Sequence, residues 1–228
     1  MFLRIPQLLN AQQLAAVTAG LESDTAPWVD GRVTAGHQGA LVKSNQQLDE
    51  ACTTAHEFGS LIVTLLERNP LFISAVLPHR VYPPLFNRYR EGMQFGSHID
   101  GAIRQIPGTA HTLRTDLSAT LFLSAPESYD GGELVIDSDS GDRAVKLTAG
   151  DLIVYTSTAR HRVNAVTRGQ RFACVFWIQS LIRDDYKRGQ LFELDRTIQQ
   201  LTESCADANS LLRLTGLYHS LLRLWSDV

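Results

Sequence analysis

Residues 83–100 read PPLFNRYREGMQFGSHID and join two predicted strands to a chemically suggestive tripeptide. The strands are Leu85 to Arg90 and Phe95 to Ile99, separated by residues typical of a turn. His98 and Asp100 lie at the end of the second strand, and residues two apart on a strand point to the same face. An imidazole and a carboxylate can therefore converge there on one divalent first-row metal ion.

His161 is the best candidate for a third metal ligand. It begins another predicted strand, His161 to Val166, after a turn at residues 157–160. Two histidines and one carboxylate leave three positions of an octahedral ion open, which is typical of non-haem Fe(II) oxygenases. Arg171 follows ten residues later, and a turn at Thr167 to Gly169 would bring it back beside His161. An arginine at that place can hold a distal carboxylate through a bidentate pair.

The argument depends on the combination, because a His-x-Asp tripeptide or a single histidine is common by chance. Surface or structural roles are expected for the other histidines. His111 is the closest competitor, since the predicted loop from Gly101 to Arg114 could fold over the site. Two alternatives stay open at this point: a non-catalytic metal-binding or sensing module, and a carbohydrate-binding or structural β-sandwich.

The middle of the chain has the texture of an antiparallel sandwich or barrel, because short β-rich runs alternate with Gly, Pro and Asp. Helical spacing precedes and follows it. Asn10 is the predicted N-cap of a first helix, and Ser44 or Asn45 that of a second helix reaching about Arg68. The predicted strands besides those above are Arg80 to Tyr82, Leu117 to Ser124, Glu133 to Asp137, Ala144 to Leu147, Leu152 to Tyr155 and Phe172 to Ile178.

Beyond Arg183 the spacing of apolar residues predicts a helical hairpin that breaks near Cys205. Its second helix could form a homodimer interface through Leu217, Leu221 and Trp225, or pack on the outside of the β core. The predicted organisation is a helical and loop support region over 1–70, a β core over 71–182 and a helical segment over 183–228.

The composition is that of an ordinary globular protein of 228 residues, 44% hydrophobic and 20% charged. A formal net charge of −3 argues against a nucleic-acid-binding protein, which would normally be basic. Three widely spaced cysteines fit a reducing cytoplasm. No apolar run is long enough to span a bilayer, and the N-terminus lacks the apolar stretch of a secretory signal.

Several stretches of the chain resemble the Fe(II)- and 2-oxoglutarate-dependent dioxygenases, in the branch that includes prolyl hydroxylases, and most closely the bacterial PKHD-type hydroxylases. The resemblance covers nearly the whole chain. It is carried by WVDGRVTAGHQGALVKSNQQL (28–48), NPLFISAVLP (69–78), PPLFNRYREGMQFGSHID (83–100), RTDLSATLFLS (114–124), YDGGELVI (129–136), AGDLIVYTSTARHRV (149–163) and FWIQSLIRDD (176–185).

The resemblance implies a mainly β fold with flanking helices (α+β), whose core is a double-stranded β-helix, or jelly roll. It implies that His98, Asp100 and His161 bind Fe(II) and that Arg171 binds the C5 carboxylate of 2-oxoglutarate. Tyr89 would hydrogen-bond the same carboxylate. Further hydroxyl donors to the co-substrate would be Ser118 and Thr120, and residues expected to face the pocket are Gln38, Lys43 and Asn45.

The implied reaction is hydroxylation of an unidentified substrate with O₂, releasing succinate and CO₂, with L-ascorbate as an additional reductant. A small-molecule or peptidyl substrate is expected. Four arginines near the motif hint at an acidic substrate, although solvated loop charges or partners of nearby acids are the preferred interpretation. They are Arg88, Arg90, Arg104 and Arg114.

Overall fold

Helices flank a β-rich centre in the computed structural model, which describes residues 1–138, 141–204 and 207–227. Short 3₁₀ helices cover Gly31–Thr34 and Pro126–Ser128. The α-helices are α1 (Ala11–Glu22), α2 (His37–Val42), α3 (Thr53–Glu67), α4 (Pro70–Val76), α5 (Asp185–Glu203) and α6 (Ala208–Trp225). Within the described ranges, no helix is both long and apolar enough to cross a membrane.

The strands form two antiparallel sheets and a separate hairpin. They are β1 (Phe2–Ile5), β2 (Trp28–Asp30), β3 (Lys43–Ser44), β4 (Gln46–Leu48), β5 (Pro78–Val81), β6 (Leu85–Arg90), β7 (Gln94–His98), β8 (Ile103–Gln105), β9 (Thr112–Arg114), β10 (Leu117–Phe122), β11 (Tyr129–Gly131), β12 (Leu134–Ile136), β13 (Arg143–Val145), β14 (Leu152–Thr156), β15 (His161–Val163) and β16 (Val166–Ser180). The major sheet has the order β1-β14-β10-β16-β6-β4-β2, with β5 and β11 also paired to β16. The minor sheet has the order β13-β12-β15-β7-β3, and β8 pairs with β9.

The two faces of the major sheet carry different residues because side chains alternate along each strand. On β10, Leu117, Ala119 and Leu121 belong to a core beneath the helices. Ser118 and Thr120, the residues between them, line a cavity on the other face. The same alternation along β6, β14 and β16 leaves polar side chains on the cavity face of a sheet whose helix face is apolar.

Helices α1, α3 and α4 cover the apolar face of the major sheet. Their buried side chains include Val17, Leu21, Ile62, Leu66 and Phe72, all packed into the core beneath the helices. A second core joins the two sheets, with Phe122 and Ile153 from the major sheet and Ile136 and Val163 from the minor sheet. This antiparallel two-sheet architecture with flanking helices confirms the predicted fold class.

The C-terminal helical hairpin forms as predicted. Helices α5 and α6 pack on a small buried cluster of Leu77, Ile182 and Leu191, to which Leu221 and Trp225 contribute. The break between the helices falls between residues 203 and 208, while Cys205, which marked its predicted position, lies outside the described residues.

The second helix was predicted to begin at Ser44 or Asn45, but in the structure it begins later along the chain. Asn10 does cap α1, through a capping box with Gln13, but neither Ser44 nor Asn45 caps a helix. Residues 43–48 instead form β3 and β4, and Cys52 is the N-cap of α3. Tertiary contacts explain the difference. β4 pairs with β6, and the buried Asn45 side chain donates a hydrogen bond from its Nδ2 to Asn87 Oδ1 at 2.8 Å.

The predicted turn at Thr167 to Gly169 is also wrong. These residues lie within β16, and the chain passes from the minor to the major sheet before Val166. His161 and Arg171 therefore belong to different sheets and are not neighbours on a hairpin. The stretch from Gly101 to Arg114, expected to be loop, contains the β8–β9 hairpin.

We expect Asp151 to stabilise the fold by fixing β1 beside β14. Its side chain is 1% exposed and accepts hydrogen bonds from Arg4 Nε at 3.0 Å, Arg4 Nη2 at 2.6 Å and the Gln7 amide at 2.9 Å. Asp151→Asn should lower the free energy of unfolding by about 1.5–3 kcal/mol, the range for hydrogen bonds to a charged group. Urea denaturation measures this loss. Asp130→Asn breaks an exposed pair with Arg168 and should cost far less; equal losses would contradict the prediction.

Candidate metal and co-substrate site

The pairing of β7 with β15 brings the three predicted metal ligands together. His98 and His161 are direct partners across these antiparallel strands. His98 Nε2 lies 3.9 Å from Asp100 Oδ1, and His161 Nε2 lies 3.7 Å from Asp100 Oδ2. One ligand atom from each of the three residues lies within 4.8 Å of the others, which suits a single shared cation.

Both imidazoles are held so that Nε2 is free to bind a metal. His98 Nδ1 donates to the Gly96 carbonyl oxygen at 2.8 Å, and His161 Nδ1 donates to the Ala159 carbonyl oxygen at 3.0 Å. The His98 ring also stacks on Phe95, with ring centroids 3.6 Å apart. Such partners fix the orientation and tautomer of a metal-binding histidine.

A β-bulge in β7 helps to direct His98. The register between β7 and β15 shifts after the His98–His161 pair, so β7 carries an additional residue beside Gly96. A Cβ atom on Gly96 would lie only 2.8 Å from the Val42 Cβ, because α2 packs closely against this strand. Because residue 96 is glycine, α2 can pack closely against the bulged strand.

Asp100 is oriented from the major sheet. Ser118 Oγ on β10 donates to Asp100 Oδ2 at 2.6 Å, and the hydroxyl oxygens of Ser118 and Ser157 are 2.8 Å apart. A hydrogen bond of this length to an ionised carboxylate is strong and directional. The Ser118 hydroxyl predicted to contact a co-substrate is thus already engaged with the candidate metal ligand.

Arg171 lies across the cavity from the histidines, on β16. It is 2% exposed, and its Cζ is 5.2 Å from the Tyr89 ring and 5.4 Å from the Phe122 ring. Among the described residues it has no carboxylate within 4 Å, and its Nε is buried without a hydrogen-bond partner. A buried guanidinium with no counter-charge is costly unless a ligand supplies one.

Gly132 makes room for this arginine. Its φ is +66°, which L side chains rarely adopt, and a Cβ there would lie 3.1 Å from the Arg171 Cδ. Tyr89 is the β6 partner of Arg171 in the sheet register and is 4% exposed. Burial raises the pKa of Tyr89 to about 12, so the phenol is a neutral hydrogen-bond donor at any ordinary pH.

A cavity of about 340 Å³ connects the histidines, Asp100, Tyr89 and Arg171. The predicted pocket residues Gln38, Lys43, Ser118 and Thr120 line it, whereas Asn45 is buried beside it through its bond to Asn87. His111 does not line the cavity and is exposed next to β9. The cavity thus contains the two-histidine, one-carboxylate set at one wall and a buried arginine at the other.

Comparison with known proteins identifies the family. Residues 84–179 match the 2OG-Fe(II) oxygenase superfamily, and residues 185–227 match the PKHD-type hydroxylase C-terminal domain. A PKHD-type hydroxylase of Cupriavidus metallidurans is 57% identical over 227 residues, covering 100% of both chains. The chain belongs to the PKHD-type hydroxylase family. It is an Fe(II)- and 2-oxoglutarate-dependent dioxygenase, which confirms the predicted enzyme class and both cofactors.

Two solved structures share the fold of this PKHD-type hydroxylase. A Pseudomonas putida prolyl-4-hydroxylase has a TM-score of 0.55 at 20% identity, covering 78% of this chain and 92% of that one. A Trichoplax adhaerens prolyl hydroxylase, in complex with a hypoxia inducible factor oxygen degradation domain peptide fragment, also scores 0.55 at 14% identity. It covers 83% of this chain and 86% of the other.

Sequence reasoning missed several residues that line the cavity of the PKHD-type hydroxylase. Tyr155 on β14 packs its ring 5.2 Å from His161, and Asn87 on β6 carries the amide that holds Asn45. Both alternate with residues of the core beneath the helices, so strand periodicity could have indicated them. Among the aromatic residues of β10 and β16, Phe176 and Trp177 are both among the residues that line the cavity, although Phe176 also belongs to the core beneath the helices, whereas Phe122 packs between the sheets.

Burial gives His98 a measurable effect on stability. Desolvation first, and then the neighbouring His161, lower the pKa of His98 to about 4. The unfolded value is about 6.5, so the unfolded state binds more protons between these values. Stability is present above pH 6.5 and is lost as the pH falls towards 4, by about 3 kcal/mol as an order of magnitude.

We therefore expect metal-free wild-type protein to lose stability between pH 6.5 and 4, and His98→Gln to flatten part of that slope. Chemical denaturation at a series of pH values, with a chelator present, measures it. His56→Gln is the matched control, because His56 is exposed on α3. A slope that is the same in wild type and His98→Gln would contradict the prediction.

Proposed function

We propose that His98, Asp100 and His161 are the Fe(II) ligands of this dioxygenase, and that Arg171 and Tyr89 hold the distal carboxylate of 2-oxoglutarate. The observation that supports the proposal is that both sets line one cavity, with the histidines on the minor sheet and Arg171 and Tyr89 on the major sheet. Fe(II) and 2-oxoglutarate, when bound, would allow O₂ to hydroxylate the substrate, with 2-oxoglutarate oxidised to succinate and CO₂.

The donor set fits iron on two counts. Neutral imidazoles and a carboxylate suit a divalent first-row metal, and three protein ligands leave room for other groups. The Nδ1 bonds to backbone carbonyls hold the imidazoles with Nε2 free, and the Ser118 hydroxyl fixes the carboxylate. In this scheme Ser118 is a positioning residue that acts through Asp100.

The surroundings of Arg171 fit a dianionic co-substrate. Its guanidinium is buried and has no acidic partner among the residues described, so a ligand carboxylate would neutralise it. Tyr89 lies opposite Arg171 in the sheet register, and its phenolic hydroxyl would donate a hydrogen bond to the same carboxylate. Aromatic rings on two sides hold the guanidinium in place and keep water from it.

The remaining sequence expectations stay proposals. We take the substrate to be a small molecule or a peptidyl group, the organisation to be the 71–182 core with support regions on either side, and the compartment to be the cytoplasm. L-Ascorbate is proposed as a reductant. A homodimer through α6 would use Leu217, which is 49% exposed, whereas Leu221 and Trp225 already pack within the chain.

Removal of a metal ligand should abolish metal binding without unfolding the protein. We expect His98→Ala and His161→Ala each to lose stoichiometric Fe(II) under anaerobic conditions, measured by metal analysis after desalting. His111→Ala, an exposed histidine outside the cavity, is the control and should retain iron. Asp100→Asn keeps the shape of the side chain but removes the anionic ligand, so it should form little succinate even in excess Fe(II). Full iron retention in either alanine variant would refute the ligand assignment.

Replacement of Arg171 should weaken 2-oxoglutarate binding and spare the metal. Truncating one partner of a buried charge pair costs about 2 kcal/mol or more, so Arg171→Ala should raise the KM for 2-oxoglutarate at least about thirtyfold. Arg171→Lys keeps the charge but loses the bidentate geometry and should be impaired less. Arg168→Ala, which alters an exposed residue of the same strand, is the control. Unchanged 2-oxoglutarate kinetics in Arg171→Ala would exclude the proposed role.

A further inference from the structure

Two cationic side chains line the cavity apart from Arg171. Lys43 comes from β3, and Arg104 comes from β8 of the separate hairpin. Lys43 lies on the edge strand of the minor sheet and Arg104 on the separate β8–β9 hairpin, and neither is among the residues proposed to bind iron and co-substrate. The two cations therefore mark a part of the cavity that the proposed function leaves without a role.

Arg104 is held rigidly in this part of the cavity. Its Cζ lies 3.8 Å from the centroid of the Trp177 ring and 5.0 Å from that of Tyr82. Its Nη2 donates to the Thr34 carbonyl oxygen at 3.1 Å, and its Nε is buried without a hydrogen-bond partner. A stacked, tethered guanidinium is prepared to bind an oxyanion with little loss of side-chain freedom.

Lys43 reaches the same place from the other side of Thr34. Its Nζ lies 3.5 Å from the Thr34 Oγ1 and 5.2 Å from the centroid of the Phe95 ring, which in turn stacks on His98. Lys43 and Arg104 thus contact a single threonine through two different atoms. The two positive charges are held near each other although like charges repel.

Neither cation forms an ion pair with a carboxylate in the part of the chain that the structure describes. Among the residues that the structure describes, no carboxylate lies within 4 Å of Lys43 or Arg104. Glu50, an acid near this end, instead accepts a hydrogen bond from Gln47 Nε2 at 3.3 Å. By contrast, Arg114, another arginine near the motif, forms ion pairs with Asp116 at 2.7 Å and with Asp227 at 2.9 Å.

The charges of the loaded site lead to the same conclusion. Fe(II) with Asp100 leaves one positive charge, Arg171 adds a second, and the two carboxylates of 2-oxoglutarate cancel them. Lys43 and Arg104 then remain as partly buried, uncompensated positive charge on the cavity wall, which favours the binding of another anion. Iron and co-substrate therefore do not account for these two side chains.

We propose that Lys43 and Arg104 bind an oxyanion of the primary substrate, a carboxylate or a phosphate, and so make this hydroxylase selective for an acidic substrate. The inference rests on the proposed function, because the charge balance assumes iron and 2-oxoglutarate in the same cavity. Trp177, stacked beneath Arg104, would contact the apolar part of the substrate next to its anionic group. Of the four arginines near the motif that hinted at an acidic substrate, only Arg104 is proposed to bind its anionic group.

The test compares anionic probes with matched neutral ones on protein loaded with Zn(II) and 2-oxoglutarate, which cannot turn over. The probes are N-acetyl amino acids with their primary amides, and N-acetyl-phosphoserine amide with N-acetyl-serine amide. Isothermal titration calorimetry gives their affinities. Because a hydrogen bond to a charged group contributes about 1.5–3 kcal/mol, at least one anionic probe should bind about tenfold or more tightly than its neutral match. Preference among the acids or for the phosphate identifies the oxyanion.

The variants assign the preference to the two side chains. Arg104→Gln and Lys43→Gln should each remove most of it, and Arg104→Lys should retain part of it because the charge remains. Arg213→Gln, which removes an exposed positive charge on α6, should leave it intact. Thermal unfolding checks that each variant is folded. If Arg104→Gln does not fold, the single variants Arg104→Lys and Lys43→Gln test the assignment instead.

Two kinds of failure are distinguishable. Metal content and 2-oxoglutarate affinity are measured first, and a wild-type protein that does not load would contradict the proposed function itself. If the wild type loads but no anionic probe exceeds its neutral match, the inference of an acidic substrate is wrong while the proposed function stands. A preference that persists undiminished in Arg104→Lys and Lys43→Gln would likewise overturn the assignment.

Discussion

The register between β7 and β15 is the constraint on which the candidate metal site depends. His98 and His161 face each other across these two strands, and a slip of one residue would turn an imidazole to the opposite face of the sheet. Because β15 has only three residues, its own pairing cannot hold the register. β12 on its other side contributes, since it pairs Ile136 with His161 and buries apolar side chains between the sheets.

The two sheets carry different residues of the proposed site, and the core between the sheets sets the distance between those residues. The minor sheet carries both histidines, while the major sheet carries Arg171 and Tyr89. Ser118 connects the two, because it lies on the major sheet and donates to Asp100, which follows the last strand residue of β7. Packing between the sheets is dense in a native protein, so a substitution such as one at Ile136 would disturb the cavity as well as the core.

The sequence predicted the sheet-rich core and the shared face of His98 and Asp100 because both follow from strand alternation, whereas His161 was placed with them as the best candidate in the β region and by the family resemblance. It failed where tertiary pairing decides. Helical spacing of apolar residues from Leu48 onward led to a helix predicted to begin at Ser44 or Asn45, yet β4 pairs with β6 and the Asn45 side-chain amide donates a hydrogen bond to Asn87. Arg171 was expected on a hairpin beside His161, but β16 begins before the expected turn and belongs to the other sheet. Long-range pairing of this kind leaves no signal in a single sequence.

The cavity concentrates charge where the fold alone gains nothing from it. Arg171 is buried without an acid, and Lys43 and Arg104 are held near each other without one among the described residues. Each of these groups loses hydration on folding, and a chain selected for stability alone would have apolar residues there. Ligands that bind only the folded state repay such a cost by mass action. The same desolvation that destabilises these charges strengthens each charge–charge contact that an anionic ligand makes with them, so in the proposed scheme the binding energy of co-substrate and substrate would come from charges that have no ion-pair partner among the described residues.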